Sequence, residues 1–189
     1  MKVTLLLASA ALIAWSPSFP ARVVAPVERF TANALNVDGD EGPVATLVQI
    51  DIDRWSTDEE HAKLTGPLVT NHQSEASGVL RKLARAGAIR ALDLAGDPLY
   101  YARKTMTRDG HAHIMLIGSR PLRAFERVPK VNMSAYPFSV VELDVDTIGH
   151  GTGTLTLAAT LDGGPEKPIR VVPDRIIRPV RLTQVKHVD

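Results

Sequence analysis

The chain has 189 residues, of which 44% are hydrophobic, and a formal net charge of +1 at pH 7. This length and composition predict a single domain with one substantial core. The near balance of charge disfavours a sequence-independent nucleic-acid binder, because such proteins are normally strongly basic. The chain contains no cysteine, which excludes disulfides and thiolate catalysis.

The first 21 residues predict a signal peptide. Lys2 supplies a positive charge, and residues 3–15 form an apolar run that is too short to span a bilayer. Prolines and small side chains then break the run, and cleavage after Ser18 or Ala21 fits this pattern. We therefore expect an exported protein, periplasmic or secreted, whose mature domain covers residues 22–189 and has no stable membrane span. An uncleaved anchor or a buried helix is the alternative.

The first two predicted strands span residues 23–37 and 44–55 and form a hairpin around a turn at residues 38–43. Apolar and polar residues alternate in the second of them, as expected for a half-buried strand. Ser56 followed by Glu59 matches a capping box, which predicts that a helix begins at residue 57 and fades at residues 66–67.

A second helix is predicted over residues 74–86, which gives a helical insertion at 57–87. Six further strands follow at residues 88–94, 99–106, 111–118, 136–146, 152–161 and 169–185, most of them separated by turn residues. Short connections imply antiparallel neighbours, and the long connection at residues 119–135 is the exception. The prediction is a mainly β fold, an antiparallel up-and-down meander of about eight strands with a helical insertion after strand 2. We expect it to form a barrel or a strongly curled sheet, with a sandwich or a helix-covered sheet as alternatives.

Acidic and basic residues are segregated along the chain. Residues 38–60 carry eight acids and one base, whereas residues 81–130 carry eleven bases and four acids. We favour the interpretation that the two segments face each other or are solvated. The alternative is that they create an electrostatic field that steers a charged ligand.

Several segments together resemble a family of small exported bacterial proteins of unknown function. They are FTANA at 30–34, RWSTD at 54–58, YAR at 101–103, DG at 109–110, RP at 120–121, YPF at 136–138, GTG at 151–153 and PVRLT at 179–183. The segments cover nearly the whole mature chain in the same order. The chain departs from the family pattern near residues 71–77 and 172–174. The resemblance implies a secreted or periplasmic protein, and it implies no activity, cofactor or catalytic residue.

His111 and His113 lie two residues apart in a predicted strand and would therefore point to one face. Such a pair could bind a metal with Asp51 and Asp53 as further ligands. The pattern is short and common, so we favour solvated histidines at a hairpin edge, and we predict no metal and no other cofactor.

Two further patterns have a structural explanation that we prefer to a functional one. Glu142, Asp144 and Asp146 alternate with apolar residues, which is typical of the polar face of a strand rather than of acid–base or calcium chemistry. The glycine-rich residues 149–153 lack the features of a phosphate loop and predict a hairpin turn.

Trp55 ends the polar face of the second predicted strand. It is expected either to plug the core beneath the helix or to face a ligand at the mouth of a barrel. Asp51 and Asp53 share its face of the strand, and Asp53 is the expected partner for the indole N–H if the ring is buried against the helix. If the site is a pocket, Leu99, Tyr101 and Arg103 share one side of their own strand, and Tyr101 and Arg103 complete the candidate ligand-binding set.

No convincing catalytic set is present in the sequence. We therefore expect a non-enzymatic binding module that takes a small apolar or amphipathic molecule in the curled sheet. A structural or interaction protein that binds another envelope protein is the alternative. An enzyme of an unrecognised type is third. A dry cavity behind Trp55 would favour the first hypothesis, and a flat apolar patch without a cavity would favour the second.

Overall fold

The computed structural model describes residues 26–36, 44–91, 94–119, 122, 135–172 and 178–188. The expected signal peptide, the turn predicted at 38–43 and most of the connection at 119–135 lie outside these residues. Within the described part of the chain, no helix is long and apolar enough to cross a membrane.

Eight antiparallel strands form a closed barrel, and two helices lie between its second and third strands, as the sequence predicts. The strands are β1 (Glu28–Asn36), β2 (Val44–Ile52), β3 (Gly87–Ala91), β4 (Asp97–Met106), β5 (Ala112–Ser119), β6 (Phe138–Val145), β7 (His150–Ala159), β8 (Leu161–Gly164), β9 (Lys167–Val171) and β10 (Val180–His187). The order around the barrel is β1-β10-β7-β6-β5-β4-β3-β2, and β8 pairs with β9 in a separate hairpin.

Alternate residues of the strands fill the barrel interior with apolar side chains. They include Phe30, Ile50, Ile52, Ile89, Ile114, Leu116, Leu143, Leu155 and Leu182, all at most 1% exposed. Gly151 and Gly153 of β7 have the same inward parity, and a Cβ on either would clash with carbonyl oxygens of β6. Small residues therefore let β7 approach β6 closely, and the interior is a packed core.

The helices α1 (Asp58–Val69) and α2 (Gln73–Leu80) cover the outer face of the barrel together with the β8–β9 hairpin. Between them and the wall formed by β4, β5 and β6 lies a second core, which includes Leu64, Leu68, Leu80, Tyr101, Ile117, Phe138, Val140 and Leu161. Since residues of β4–β6 are buried on both faces, these strands form the central wall of the molecule.

Helix α1 begins one residue later than predicted. Thr57, and not Ser56, is the N-cap, and its hydroxyl accepts a hydrogen bond from the backbone N–H of Glu60 at 3.2 Å. The Glu60 carboxylate accepts in return from the N–H of Thr57 at 3.0 Å. Two hydrogen bonds from Arg54 help to hold the pKa of Glu60 below its usual range. The box is therefore present, but with the partners Thr57 and Glu60.

Both helices also end at positions other than those predicted. Helix α1 continues through Pro67 because Leu68 is buried in the second core. Helix α2 stops at Leu80 rather than at residue 86, because the N–H of Ala86 already bonds to the carbonyl of Leu99 in the sheet. Tertiary hydrogen bonds and burial thus override the local signals.

The C-terminal strands also differ from the prediction. The strand predicted at 152–161 is divided between β7 and β8, and the one predicted at 169–185 is divided between β9 and β10. The eight barrel strands still form the predicted meander, but the connection from β7 to β10 contains the β8–β9 hairpin, which leaves the barrel wall to cover the second core. Strand β10 then returns to pair with β7 on one side and with β1 on the other.

Candidate functional site

The chain crosses one end of the barrel between β2 and α1. The N–H groups of Asp53 and Arg54 both bond to the carbonyl of Ala86, just before β3. Ser56 then binds both backbone groups of Ala102 in β4, with its N–H as donor at 2.8 Å and its hydroxyl as acceptor at 3.0 Å. This segment thus occupies the edge of β4 that β3 does not reach, and it fixes the backbone on both sides of Trp55.

Trp55 is half-buried and packs against the barrel core. The prediction that it continues the polar face of β2 is wrong, because β2 ends at Ile52 and the chain then turns across the barrel end. The interpretation as a core plug is confirmed in part: the ring packs against the barrel core and not against the core beneath the helices.

An ion pair lies next to the indole. The ammonium Nζ of Lys104 is 5.8 Å from the centroid of the Trp55 ring and 2.9 Å from Glu28 Oε1. Glu28 and Lys104 have the inward parity of Phe30 and Ala102 in their strands, so both lie over the end of the core. The Trp55 end, which we define by Trp55, Lys104 and Glu28, therefore combines an aromatic face, a cation and an anion.

The two predicted aspartates do not converge on Trp55. Asp51 lies on the outer wall, 2.6 Å from Arg29 and 3.3 Å from Arg90. Burial alone would raise its pKa, but hydrogen bonds from Arg29 and Gln49 outweigh this effect and lower it. Asp53 lies 3.2 Å from Arg85, so its expected role as partner of the indole N–H is wrong.

Tyr101 and Arg103 were predicted to share a face with Leu99, and this prediction is wrong. The pairing of β4 with β5 shifts register between Leu99 and Tyr101, so that Leu99 joins the barrel core and Tyr101 the second core. The Tyr101 hydroxyl is 2.8 Å from Nδ1 of His61 in α1, and burial raises the pKa of Tyr101 to about 12. Arg103 pairs with Asp58 at 3.0 Å, on the first turn of α1.

Three of these ion pairs join the acidic segment to the basic segment. Asp51, Asp53 and Asp58 belong to the acidic segment, and their partners Arg90, Arg85 and Arg103 belong to the basic segment. The interpretation that the two segments face each other is confirmed for these three pairs. The candidate site therefore contains Trp55 alone of the five predicted residues.

Apolar side chains around the Trp55 end were not singled out from the sequence. We call Val27, Met106, Ile148 and Val188 the apolar rim, and their exposed fractions are 60%, 59%, 73% and 38%. Met106 ends β4, and Ile148 lies in the turn between β6 and β7. The sequence signal that could have identified the apolar rim is a large apolar residue inside or beside a polar turn.

A shallow groove lies on the outer face of β5, β6 and β7. Its volume is about 270 Å³, and it is lined by His113, Glu142, Asp144, Thr152, Gly153 and Thr154. His113 is 2.8 Å from Asp144, directly across the strand pair. Glu142 and Asp144 thus form a polar strand face as predicted, whereas Asp146 accepts hydrogen bonds from backbone N–H groups of the following turn.

The hypothetical metal site is not formed. His111 lies in the turn before β5, His113 pairs with Asp144, and Asp51 pairs with arginines on the β2 wall. In the described residues, no group of three or more histidine, aspartate or glutamate side chains is arranged to hold a metal ion.

The Trp55 end offers binding chemistry. An indole with an ammonium group over its ring suits a molecule that has an apolar part and an anionic part. Comparisons with protein-family models, with curated proteins and with solved structures found no match.

Proposed function

We propose that this protein is a non-enzymatic binding module that takes a small amphipathic molecule at the Trp55 end of its barrel. The observation that carries the proposal is the half-buried indole with the Lys104 ammonium 5.8 Å from its centroid. The described side chains of the barrel interior are apolar and buried, which supports a site at the end of the barrel, where the charged groups Lys104 and Glu28 lie.

The ligand is proposed to be an anion with an apolar tail. Its tail would lie on Trp55 and the apolar rim, where contact with water is lost on binding. Its anionic group would pair with Lys104 in place of Glu28, whose side chain is 18% exposed. Export to a bacterial periplasm or to the medium is part of the proposal, and it is supported by Lys2, the apolar run of residues 3–15 and the family resemblance.

Tryptophan fluorescence tests this proposal. A medium-chain fatty acid, kept below its micelle concentration, should change the emission of Trp55 saturably, and the alcohol of the same length should bind about tenfold more weakly. Trp55→Phe should remove the response, which identifies Trp55 as its source. Lys104→Gln should abolish the preference for the acid over the alcohol. A freely quenched, water-like Trp55 emission that neither compound alters would refute the site.

An envelope interaction protein is the second candidate, and the exposed apolar rim favours it. Exposed apolar side chains that are grouped at one end of a molecule are typical of docking surfaces. Native mass spectrometry of protein purified from its own periplasm separates the two candidates. A retained small molecule supports the first, whereas a stoichiometric protein partner that Ile148→Ser releases supports the second.

A further inference from the structure

The ion pair at the Trp55 end joins two strands that are distant in the sequence. Glu28 is the first residue of β1 and Lys104 lies in β4, and Lys104 Nζ donates a hydrogen bond to Glu28 Oε1 at 2.9 Å. Along β4, Lys104 lies between Ala102, which belongs to the barrel core, and Met106, which is 59% exposed. On this side of the barrel end, the ion pair therefore separates the apolar core from the apolar rim.

Each member of this ion pair has a single charged partner within the described part of the chain. Asp51 on the outer wall, in contrast, accepts hydrogen bonds from both Arg29 and Gln49. The side chains of Lys104 and Glu28 are 35% and 18% exposed, so a ligand can reach both charges. Since a single ion pair that is partly exposed contributes little to stability, its two members can exchange partners at little cost.

A ligand that carries one charge would break this ion pair and leave the other member without a partner. A carboxylate that binds Lys104 would release Glu28, which would then remain as an unpaired, largely buried charge beside the apolar core. An ammonium group that binds Glu28 would release Lys104 in the same way. The cost of leaving such a charge unpaired opposes binding in both cases.

A ligand that carries both charges would give each member of the pair a new partner. Its anionic group would accept a hydrogen bond from Lys104, and its cationic group would lie against Glu28. The indole favours this arrangement, because the face of an indole attracts cations, including quaternary ammonium groups, and Lys104 Nζ is already 5.8 Å from the centroid of the Trp55 ring. Binding would thus exchange the ion pair within the protein for two ion pairs with the ligand.

We infer that the amphipathic ligand of the Trp55 end is a zwitterion, with an anionic and a cationic group close together in its head group and an apolar tail. The inference rests on the proposed function, to which it adds the cationic group and its partner Glu28. The head group would contact Trp55, Lys104 and Glu28, and the tail would cover the apolar rim, where Ile148 is 73% exposed. An alkyl phosphocholine has this chemistry.

Three ligands with matched alkyl chains test the inference on the whole protein. Decylphosphocholine carries both charges, whereas decanoate and decyltrimethylammonium carry one charge each, and all three are kept below their micelle concentrations. Titrations followed by Trp55 fluorescence should show that decylphosphocholine binds roughly tenfold more tightly than either of the others, because one additional charge-assisted contact changes the affinity by about this factor. Added salt should reduce the difference, because it screens the charges.

Matched variants assign the preference to Glu28. Glu28→Gln, which removes the anion and keeps the size of the side chain, should weaken the binding of decylphosphocholine roughly tenfold. The same variant should tighten the binding of decanoate, because Lys104 no longer has a competing carboxylate beside it. A site that is merely damaged would bind both ligands more weakly, so opposite changes identify Glu28 as the partner of the cationic group. Asp144→Asn, which removes one negative charge from an ion pair on the outer face, should leave both affinities unchanged.

The outcomes separate this inference from the proposed function. If decanoate gives a saturable response and decylphosphocholine binds no more tightly, the proposed function stands and the inference is overturned. If Glu28→Gln weakens both ligands to the same extent, Glu28 only supports the barrel end, and the inference is again overturned. If none of the three ligands alters a water-like, freely quenched Trp55 emission, the small-molecule site itself is refuted. Circular dichroism of each variant checks that the fold is retained.

Discussion

Two adjacent hydroxyl residues stabilise different parts of the molecule. Ser56 accepts a hydrogen bond from the N–H of Ala102, which is fully buried in β4, whereas Thr57 caps helix α1. Loss of the Ser56 hydroxyl should therefore weaken the sheet at Ala102, and loss of the Thr57 hydroxyl should weaken the start of helix α1.

We expect Ser56→Ala to cost about 1–3 kcal/mol, because the buried N–H of Ala102 loses its acceptor. Thr57→Ala should cost about 1 kcal/mol, the usual value for an N-cap. Urea unfolding measures the loss of stability of both variants. Hydrogen exchange shows where the loss lies: the backbone N–H of Ala102 should exchange faster in Ser56→Ala, and that of Glu60 should exchange faster in Thr57→Ala. Ser74→Ala, at an exposed position of α2, is the control. Faster exchange at Glu60 in Ser56→Ala would contradict the assignment.

Local sequence alone could not place this cap. Ser56 and Glu59 are three residues apart, and so are Thr57 and Glu60, so the sequence contains two overlapping capping-box patterns. The choice between them depends on Ala102, which comes from a distant strand and recruits the Ser56 hydroxyl. The existence of a strand-to-helix junction was therefore predictable, and its register was not.

At the scale of elements, the side-chain amide of Gln73 makes the two backbone hydrogen bonds with Leu161 that a neighbouring strand would make. Its amide nitrogen donates to the carbonyl of Leu161 at 2.7 Å, and its amide oxygen accepts from the N–H of the same residue at 2.9 Å. Leu161 begins β8 and is 1% exposed, so these bonds satisfy a strand edge beneath α2. The amide thus connects the helical insertion to the β8–β9 hairpin.

Gln73→Ala should destabilise the protein by about 1–3 kcal/mol, because both backbone groups of a buried residue lose their partner. Gln73→Glu should be at least as damaging at neutral pH, since a carboxylate would face the carbonyl of Leu161. Denaturant unfolding measures the loss, and limited proteolysis should find the earliest cuts in β8–β9. Glu75→Ala, an exposed change on the same helix, is the control. Equal stability of the glutamine and alanine proteins would refute the role.

Hairpins with short turns were the predictable elements, because apolar alternation and turn residues define each of them locally. The pairs β4–β5 and β6–β7 are of this kind. The register shift at Tyr100 and the departure of β8–β9 from the barrel were not predictable, since each is set by packing against α1 and α2.

The candidate site was predictable only in part. Trp55 was found from its position, but its neighbours Lys104 and Glu28 come from strands that meet only in the closed barrel.

At the scale of the whole molecule, closure of the barrel depends on the longest-range strand pairing. Strands β4 to β7 pair with neighbours in sequence, whereas β1 pairs with β10, placing Phe30 opposite His187. Contacts between distant parts of a chain are slow to form, because the intervening chain must be ordered first. We therefore expect β4–β7 to be organised in the folding transition state and the β1–β10 seam to close after it.

Two matched substitutions test this order. Leu116 in β5 and Leu182 in β10 both point into the barrel core and are 0% exposed, so each change to alanine should cost about 2–5 kcal/mol. Leu116→Ala should mainly slow folding, because its contacts are already made in the transition state. Leu182→Ala should mainly speed unfolding and leave the folding rate nearly unchanged. Stopped-flow folding and unfolding in urea separates the two effects. If Leu182→Ala slows folding as much as Leu116→Ala, the β1–β10 seam belongs to the nucleus, and closure precedes rather than follows the rate-limiting step.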